Sequence, residues 1–124
     1  MDDDKKIRSF TDLQAWKESH KLVLMVYQAT KNFPKEELFG LTSQIRRAAV
    51  SITSNIVEGF SRNSLKEKTQ FYYISKGSIS ELQSQLLIAK DLMYISKEDF
   101  DKIAVQSIVA NKLISGLVKY CRNS

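Results

Sequence analysis

One stretch of this sequence decides the fold, and it reads EELFGLTSQIRRAAVSITSNIVEG over residues 36–59. Its apolar side chains recur at spacings of three and four, which is the period of one face of an α-helix. Glu36 and Glu37 suit the first turn of a helix, and Gly59 suits its C-terminal end. The stretch therefore predicts a helix from about Glu36 to Glu58. Its predicted apolar face comprises Leu38, Leu41, Ile45, Ala48, Ala49, Ile52 and Ile56.

The segment before this stretch has the same helical period. Thr11 and Gln14 have the spacing of a capping box, in which Thr caps a helix and Gln reaches back to it. Pro34 ends the segment, because proline disfavours a helical residue before it and has no N–H to donate. The predicted core-facing stripe of this first helix comprises Leu13, Trp16, His20, Val23, Tyr27 and Thr30. A neighbouring row widens it with Leu22, Val26, Ala29 and Phe33.

Two further helices are predicted downstream, and each opens with a capping sequence. Ser64 with Glu67 begins the third helix, and Ser96 with Asp99 begins the fourth. The third face comprises Tyr72, Ser75, Ile79, Leu82, Leu86, Ala89 and Met93. The fourth comprises Phe100, Ile103, Ser107, Ala110, Ile114, Leu117 and Cys121.

The links between the four predicted helices are only a few residues long, so successive helices must run antiparallel. We therefore expect an all-α fold, an antiparallel up-down-up-down four-helix bundle over residues 10–124. Residues 1–9 are predicted to be a flexible N-terminal lead-in. A chain of 124 residues is the size of one domain, and its four glycines and one proline disfavour a many-stranded β fold.

Composition also limits the chemistry. The single cysteine, Cys121, excludes an internal disulfide and multi-cysteine metal sites. The single histidine, His20, follows Glu18 at a spacing that does not match the Glu-x-x-His pairs of di-iron bundles. We expect His20 to be a core or interface histidine and Cys121 to be a small buried hydrophobe. The predictions are no catalytic residue, no metal and no cofactor, hence no enzyme; a hydrolase using His20 or Cys121 is the weakest alternative.

The chain contains no apolar run long enough for a membrane span, and its acidic-then-basic start lacks the apolar region of a signal peptide. A cytoplasmic location is therefore expected. Lys and Arg outnumber Asp and Glu by 19 to 14, which gives a net charge of +5. The surplus is spread thinly along the sequence, with a local bias only after Asp101, the last acidic residue.

Extra apolar residues lie off the main stripes of the third and fourth helices. On the third helix they are Phe71, Ile74, Ile88 and Leu92, and on the fourth they are Val105, Val109 and Leu113. A monomeric bundle needs one apolar stripe for each helix, so a second stripe indicates a buried subunit contact. The alternative is a wide core face.

A polar row on the second helix is the densest constellation of hydrogen-bonding side chains. It comprises Ser43, Arg47, Ser51, Ser54 and Glu58, with Asn55 at its border. Such short polar groups favour a packed seam between subunits. Because Arg47 and Glu58 are too far apart to meet along one helix, we expect them to pair across a subunit contact. The alternative is that Arg46 and Arg47 contact phosphates.

Two clusters of basic residues are candidates for nucleic-acid binding. They are Arg62, Lys66 and Lys68 near the turn between helices two and three, and Lys112, Lys119 and Arg122 late in helix four; Arg46 is a separate candidate. In an up-down-up-down bundle this turn lies at the same end as both chain termini. The two clusters are therefore predicted to form one basic end, although cations in a last helical turn also suit the helix dipole.

A family resemblance rests on FTDLQAWK (10–17), FPKEELFGL (33–41), SQIRRAAVSI (43–52), NIVEG (55–59) and GSISEL (77–82). With these stretches the chain resembles the 23S ribosomal RNA intervening-sequence protein family of bacteria from about residue 10 to residue 120. Val57 departs from the family pattern, which more often has Ala there. The last helix follows only the apolar pattern, so the resemblance says least about its residues.

The resemblance implies a homopentameric ring of four-helix bundles. A similar protein, the accessory variability determinant of diversity-generating retroelements, binds nucleic acid and a reverse transcriptase. The implied partners are therefore further copies of the chain, ribosomal RNA or another nucleic acid, and a reverse transcriptase or other protein. The leading hypothesis is a non-enzymatic, ring-forming protein that binds RNA or DNA. The alternative is an oligomeric protein-interaction scaffold without direct nucleic-acid binding.

Overall fold

Four long helices account for most of residues 6–124, which are the residues that the computed structural model describes. Their bounds are α1, Gln14–Thr30; α2, Leu41–Ser61; α3, Leu65–Asp91; and α4, Lys97–Arg122. Short 3₁₀ turns at Phe10–Asp12 and Lys35–Glu37 precede α1 and α2, and no strand occurs between residues 6 and 124. The predicted all-α fold with four helices is confirmed. Residues 1–5 of the predicted lead-in lie outside the described residues.

Each helix packs against the helices before and after it, and α4 closes the bundle against α1. Hydrogen bonds fix the antiparallel order. Arg46 near the start of α2 donates to Thr30 at the end of α1, and Gln83 of α3 donates to Ser107 of α4. The core lies between the four helices and is formed mainly by Leu22, Ile45, Ile52, Ile56, Ile79, Leu82, Leu86, Ile103 and Ile114. The start of α1, the end of α2, the start of α3 and the end of α4 therefore share one end.

The predicted capping box at Thr11 and Gln14 is wrong. The box lies two residues earlier, where Ser9 caps the turn at Phe10–Asp12 and the Asp12 carboxylate accepts the Ser9 N–H. Leu13 then adopts an extended conformation, with φ −74° and ψ 128°, and α1 begins only at Gln14. The Ser9–Asp12 pair has the same capping chemistry as the predicted Thr11–Gln14 pair, and it caps the short turn before α1.

The predicted core stripe of α1 is rotated from the observed one. Its buried residues are Ala15, Ser19, Leu22, Val23, Val26 and Thr30. His20 and Tyr27 are exposed, and the His20 ring stacks on Trp16 with 4.6 Å between ring centroids. The expectation of a core histidine is therefore wrong, because the smaller side chains fit between the neighbouring helices while the large rings lie at the margin. A role of His20 in a subunit contact stays a prediction.

The second helix is shorter at its start and longer at its end than predicted. The residues before Leu41 form the separate turn at Lys35–Glu37, and Glu37 Oε1 accepts the Leu41 N–H at 3.1 Å. Leu38, predicted on the apolar face, is about half exposed. Gly59 does not end the helix, since α2 continues to Ser61. The predicted start at Glu36 and the predicted role of Gly59 as a terminator are both wrong.

The predicted starts of the last two helices are confirmed. The Ser64 hydroxyl accepts the Glu67 N–H, and the Ser96 hydroxyl accepts the Asp99 N–H, each at 3.1 Å. The prediction that Met93 lies on the core face of the third helix is wrong. Met93 follows the end of α3, has φ 63° and is 88% exposed. No helix within residues 6–124 combines the length and hydropathy that a membrane crossing requires.

Candidate nucleic-acid interface

The excess of positive over negative side chains is confined to one half of the bundle. The basic half comprises residues 6–22, 52–77 and 110–124, which hold the start of α1, the end of α2, the start of α3 and the end of α4. It carries eleven Lys and Arg against four Asp and Glu. The other half, residues 23–51 and 78–109, carries seven of each. All the net positive charge of the described residues therefore lies in the basic half.

Lys66, Lys119 and Arg122 are the exposed members of the two predicted basic clusters nearest this end of the bundle. Lys66 lies in the first turn of α3, and the other two lie in the last turn of α4. Lys66 and Arg122 line the same shallow groove, of about 410 Å³, between these two helices. The structure thus brings one member of each cluster, Lys66 and Arg122, to the same groove. Their binding to nucleic acid stays a prediction.

Arg62 lies at the same end but is held by its own chain. One guanidinium nitrogen donates to Glu58 Oε1 at 2.7 Å, and the guanidinium carbon lies 4.7 Å from the centroid of the Phe71 ring. The Nε atom is buried and has no hydrogen-bond partner within the described residues. Because Glu58 already balances its charge, Arg62 has less charge to offer to a phosphate than Lys66 has.

Lys68 also has a structural contact. Its ammonium group donates to the carbonyl oxygen of Phe60 at 2.8 Å and to that of Gly59 at 3.3 Å. These carbonyls are at the end of α2, where a positive charge is favourable; the Gly59 carbonyl also accepts the Arg62 N–H at 3.2 Å. Lys68 therefore caps α2 from α3, which the spacing of basic residues in the sequence does not indicate.

The remaining two candidates lie away from this cluster. Lys112 is exposed on α4, roughly 10 Å along the helix axis before Lys119. Arg46 is in the other half of the bundle, where its Nε donates to Thr30 Oγ1 at 2.8 Å and its guanidinium lies 4.7 Å from the Tyr27 ring centroid. Arg46 thus joins α2 to α1, and the structure does not bring it together with the other candidates.

Sequence reasoning did not select the cations near the start of α1. Arg8 and Lys17 are exposed near the start of α1, where nearby acidic residues balance them in the sequence. Only the antiparallel topology sets them beside the other cations. Tyr73, an aromatic that the sequence places near these cations, accepts a hydrogen bond from Arg122 at its hydroxyl at 3.2 Å. Its neighbour Tyr72 is on the predicted core stripe and is buried, so Tyr73 had to point away from the core.

The predicted polar seam is partly a contact within one chain. Ser51 Oγ lies 2.8 Å from Ser78 Oγ, and Asn55 Nδ2 donates to both the carbonyl and the hydroxyl of Ser51. Glu58 pairs with Arg62. The expected partner of Glu58, Arg47, is exposed on α2, and Ser43 lies half-buried near it. The short polar groups thus let α2 and α3 approach closely, and the pairing of Arg47 between subunits stays a prediction.

The two residues with conventional catalytic chemistry occupy different environments. Cys121 is buried beside Tyr72, and burial together with the nearby thiol raises the pKa of Tyr72 to about 12. His20 is exposed and stacked on Trp16. Residues 6–124 contain no group of three or more His, Cys, Asp or Glu side chains placed to hold a metal ion. The exposed cations of the basic half are suited to electrostatic contact with an anion.

Comparison with known proteins gives two findings. The chain is similar to a protein of unknown function from the S23 ribosomal protein family of Bacteroides thetaiotaomicron VPI-5482, known from its crystal structure. The two share 23% sequence identity and a TM-score of 0.78, over 85% of this chain and 98% of the other, which shows a common fold. No curated protein matches the chain. The family model of the 23S rRNA-intervening sequence protein matches residues 11–116, and the chain therefore belongs to that family.

Proposed function

We propose that this protein is a non-enzymatic nucleic-acid-binding protein, which holds the phosphate backbone of RNA or DNA against its basic half. The observation that supports this function is the charge distribution, with eleven cations against four anions in one half and seven of each in the other. The name of the family, which refers to 23S rRNA, favours RNA as the first ligand to test.

The physical basis of the proposed binding is the release of counterions from the phosphate backbone. Each phosphate that a Lys or Arg neutralises frees condensed cations, so affinity falls steeply as salt rises. Lys66, Lys119 and Arg122 are the best placed for such contacts because they are exposed. Backbone contacts of this kind carry little sequence information, so weak sequence preference is expected. A ring of five copies would multiply the number of phosphates contacted.

The proposal is tested by titrating labelled ribosomal RNA fragments with the protein at low and at physiological salt. One variant combines K66Q, K119Q and R122Q, and a matched control combines K31Q, K35Q and K102Q, three exposed lysines of the other half. Both variants lose the same charge. We expect the first to bind RNA weakly, with a salt dependence reduced by about two to three phosphate contacts. We expect the control to bind as the natural chain does.

Two results would overturn this proposal. The first is the absence of RNA binding even at low salt. The second is an equal loss of affinity in the two variants, which would mean that net charge alone matters and that the basic half is not the site. Thermal melts of both variants establish that each remains folded.

A second candidate function, an oligomeric protein-interaction scaffold, is favoured by exposed apolar side chains on the outer faces of α3 and α4. Of the predicted second stripes, Ile74, Ile88, Leu92 and Val105 are each between 47% and 61% exposed, and Val109 is 37% exposed. These residues form no part of the core, so the alternative of a wide core face fails for them. Apolar side chains left exposed in a row along a helix favour a protein contact. Recovery of a protein partner after nuclease treatment, without RNA binding, would favour this function.

A further inference from the structure

The groove between the start of α3 and the end of α4 differs from a plain basic surface because it contains an exposed aromatic ring. Tyr73 is 47% exposed and lines the groove together with Lys66, Gln70 and Arg122. The hydroxyl of Tyr73 is held by Arg122 at 3.2 Å, which fixes the outer edge of the ring. An exposed ring that is not needed for the core is therefore held in place among cationic and amide groups.

These groups match the parts of an unpaired nucleotide. Aromatic rings stack on nucleobases, and every base offers such a face. The ammonium of Lys66 and the guanidinium of Arg122 suit the phosphates on either side of the base. The amide of Gln70 can donate to and accept from the edge of a base. In a duplex, base faces are already stacked inside the helix, so only a single strand can use the ring.

We propose that this groove binds an unpaired nucleobase by stacking on Tyr73, and that the basic half consequently prefers single-stranded nucleic acid to duplex. The inference rests on the proposed function, because the stacking adds to phosphate contacts made by the same surface. It goes beyond that function by assigning a base-contacting residue and a strand preference.

The test compares a short labelled single-stranded RNA with a blunt-ended duplex of two annealed strands, which has no unpaired loop, at the same total number of phosphates. The variants are Y73A, which removes the ring, and Y73F, which keeps the ring and removes the hydroxyl. Y120A is the matched control, since Tyr120 is 70% exposed on the last turns of α4 but does not line the groove. Thermal melts verify that each variant is folded.

We expect Y73A to lower affinity for the single strand about tenfold and to leave affinity for the duplex unchanged. Y73F keeps the ring and loses only its hydrogen bond to Arg122, so we expect it to lose much less affinity for the single strand than Y73A does, while Y120A binds as the natural chain does. Equal binding of both probes by the natural chain, an unchanged affinity in Y73A, or an equal loss in Y73F and Y73A would overturn the stacking site while leaving the proposed function in place. Failure of the natural chain to bind either probe at low salt would overturn both.

Discussion

Gly59 sets the distance between α2 and α3 at the end of the bundle. A Cβ atom at this position would lie 2.6 Å from Tyr72 Cε1 and 3.2 Å from the carbonyl oxygen of Lys68. The tyrosine is buried and the carbonyl belongs to the backbone of α3, so neither can move away easily. Such overpacking typically costs about 1–3 kcal/mol. We expect G59A to lower the free energy of unfolding by that amount, measured by urea denaturation.

The matched controls for this prediction are Gly77 and Gly116, which lie inside α3 and α4. A Cβ at either position would meet no atom within 4 Å. Alanine favours a helix over glycine, so G77A and G116A are expected to raise the stability by about 0.5–1 kcal/mol. If all three substitutions raised the stability, the close approach at Gly59 would be contradicted.

Asp12 gives the turn before α1 its dependence on pH. Its Oδ2 atom accepts the Arg8 N–H at 2.9 Å and the Ser9 N–H at 3.0 Å, and these bonds lower the pKa of Asp12 below its usual 3.8. The carboxylate is therefore charged and stabilises the turn at any pH above about 4, and this contribution is lost as the pH falls through the lowered value.

The check is a pH titration of the Arg8 and Ser9 amide signals by NMR. We expect both signals to move together, with a midpoint below 3.8, and to stay still over the same range in D12N. A midpoint at or above 3.8 in the natural chain would contradict the hydrogen bonds that Asp12 accepts.

At the scale of the element, the turn between α2 and α3 contains two lysines with different roles. Lys68 donates to the carbonyls at the end of α2, whereas Lys66 is exposed in the first turn of α3. We expect K68M to lower the stability by about 1 kcal/mol, because it leaves the Phe60 carbonyl without a donor, whereas the Gly59 carbonyl keeps the Arg62 N–H. We expect K66M to leave the stability unchanged and to weaken RNA binding, with about one phosphate contact fewer in the salt dependence.

The two lysines act as controls for each other, since each variant loses one charge and keeps an apolar stem. Urea denaturation gives the stabilities, and RNA titrations at several salt concentrations give the number of contacts. If K68M weakened RNA binding as much as K66M and left the stability unchanged, the capping role of Lys68 would be wrong.

Local chemistry explains which elements the sequence predicts well. Ser64 and Ser96 begin helices as expected, because a capping side chain and its acceptor are only three residues apart. The rotation of α1 was mispredicted, because the choice between its two apolar rows depends on the space that α2 and α4 leave. The prediction that Gly59 ends α2 fails for a similar reason. A glycine is required there because a side chain would collide with Tyr72, which belongs to another helix.

At the scale of the whole molecule, topology creates the charge distribution. Lys and Arg are nearly balanced by Asp and Glu along much of the chain, yet the antiparallel order collects the surplus in one half. The meeting of Lys66 and Arg122 at one groove follows from that order, whereas Lys112 lies farther from that groove along α4. The structural contacts of Arg46, Arg62 and Lys68 were not predictable in the same way, because a long cationic side chain reaches partners that spacing alone does not define.

Assembly is the last property that belongs to this scale. The exposed row on α3 places Ile74, Glu81 and Ile88 seven residues apart, hence on one face, and leaves both isoleucines about half exposed. The proposed ring would cover this face. We expect native mass measurement to give a multiple of 14.2 kDa for the natural chain and 14.2 kDa itself for I88K. An added lysine would be buried without a partner at the contact, which is costly.

The matched control for assembly is I7K, since Ile7 is exposed to a similar degree (46% against 47%) before the start of α1, where no subunit contact was predicted. The same charge is thus added to a different part of the molecule, and I7K is expected to assemble as the natural chain does. A monomeric natural chain, or assembly that survives I88K, would contradict a contact through α3. Dissociation of both variants would show that assembly responds to charge in general. If I88K alone dissociates, RNA titrations of that monomer measure how much of the affinity comes from repeating the basic half around a ring.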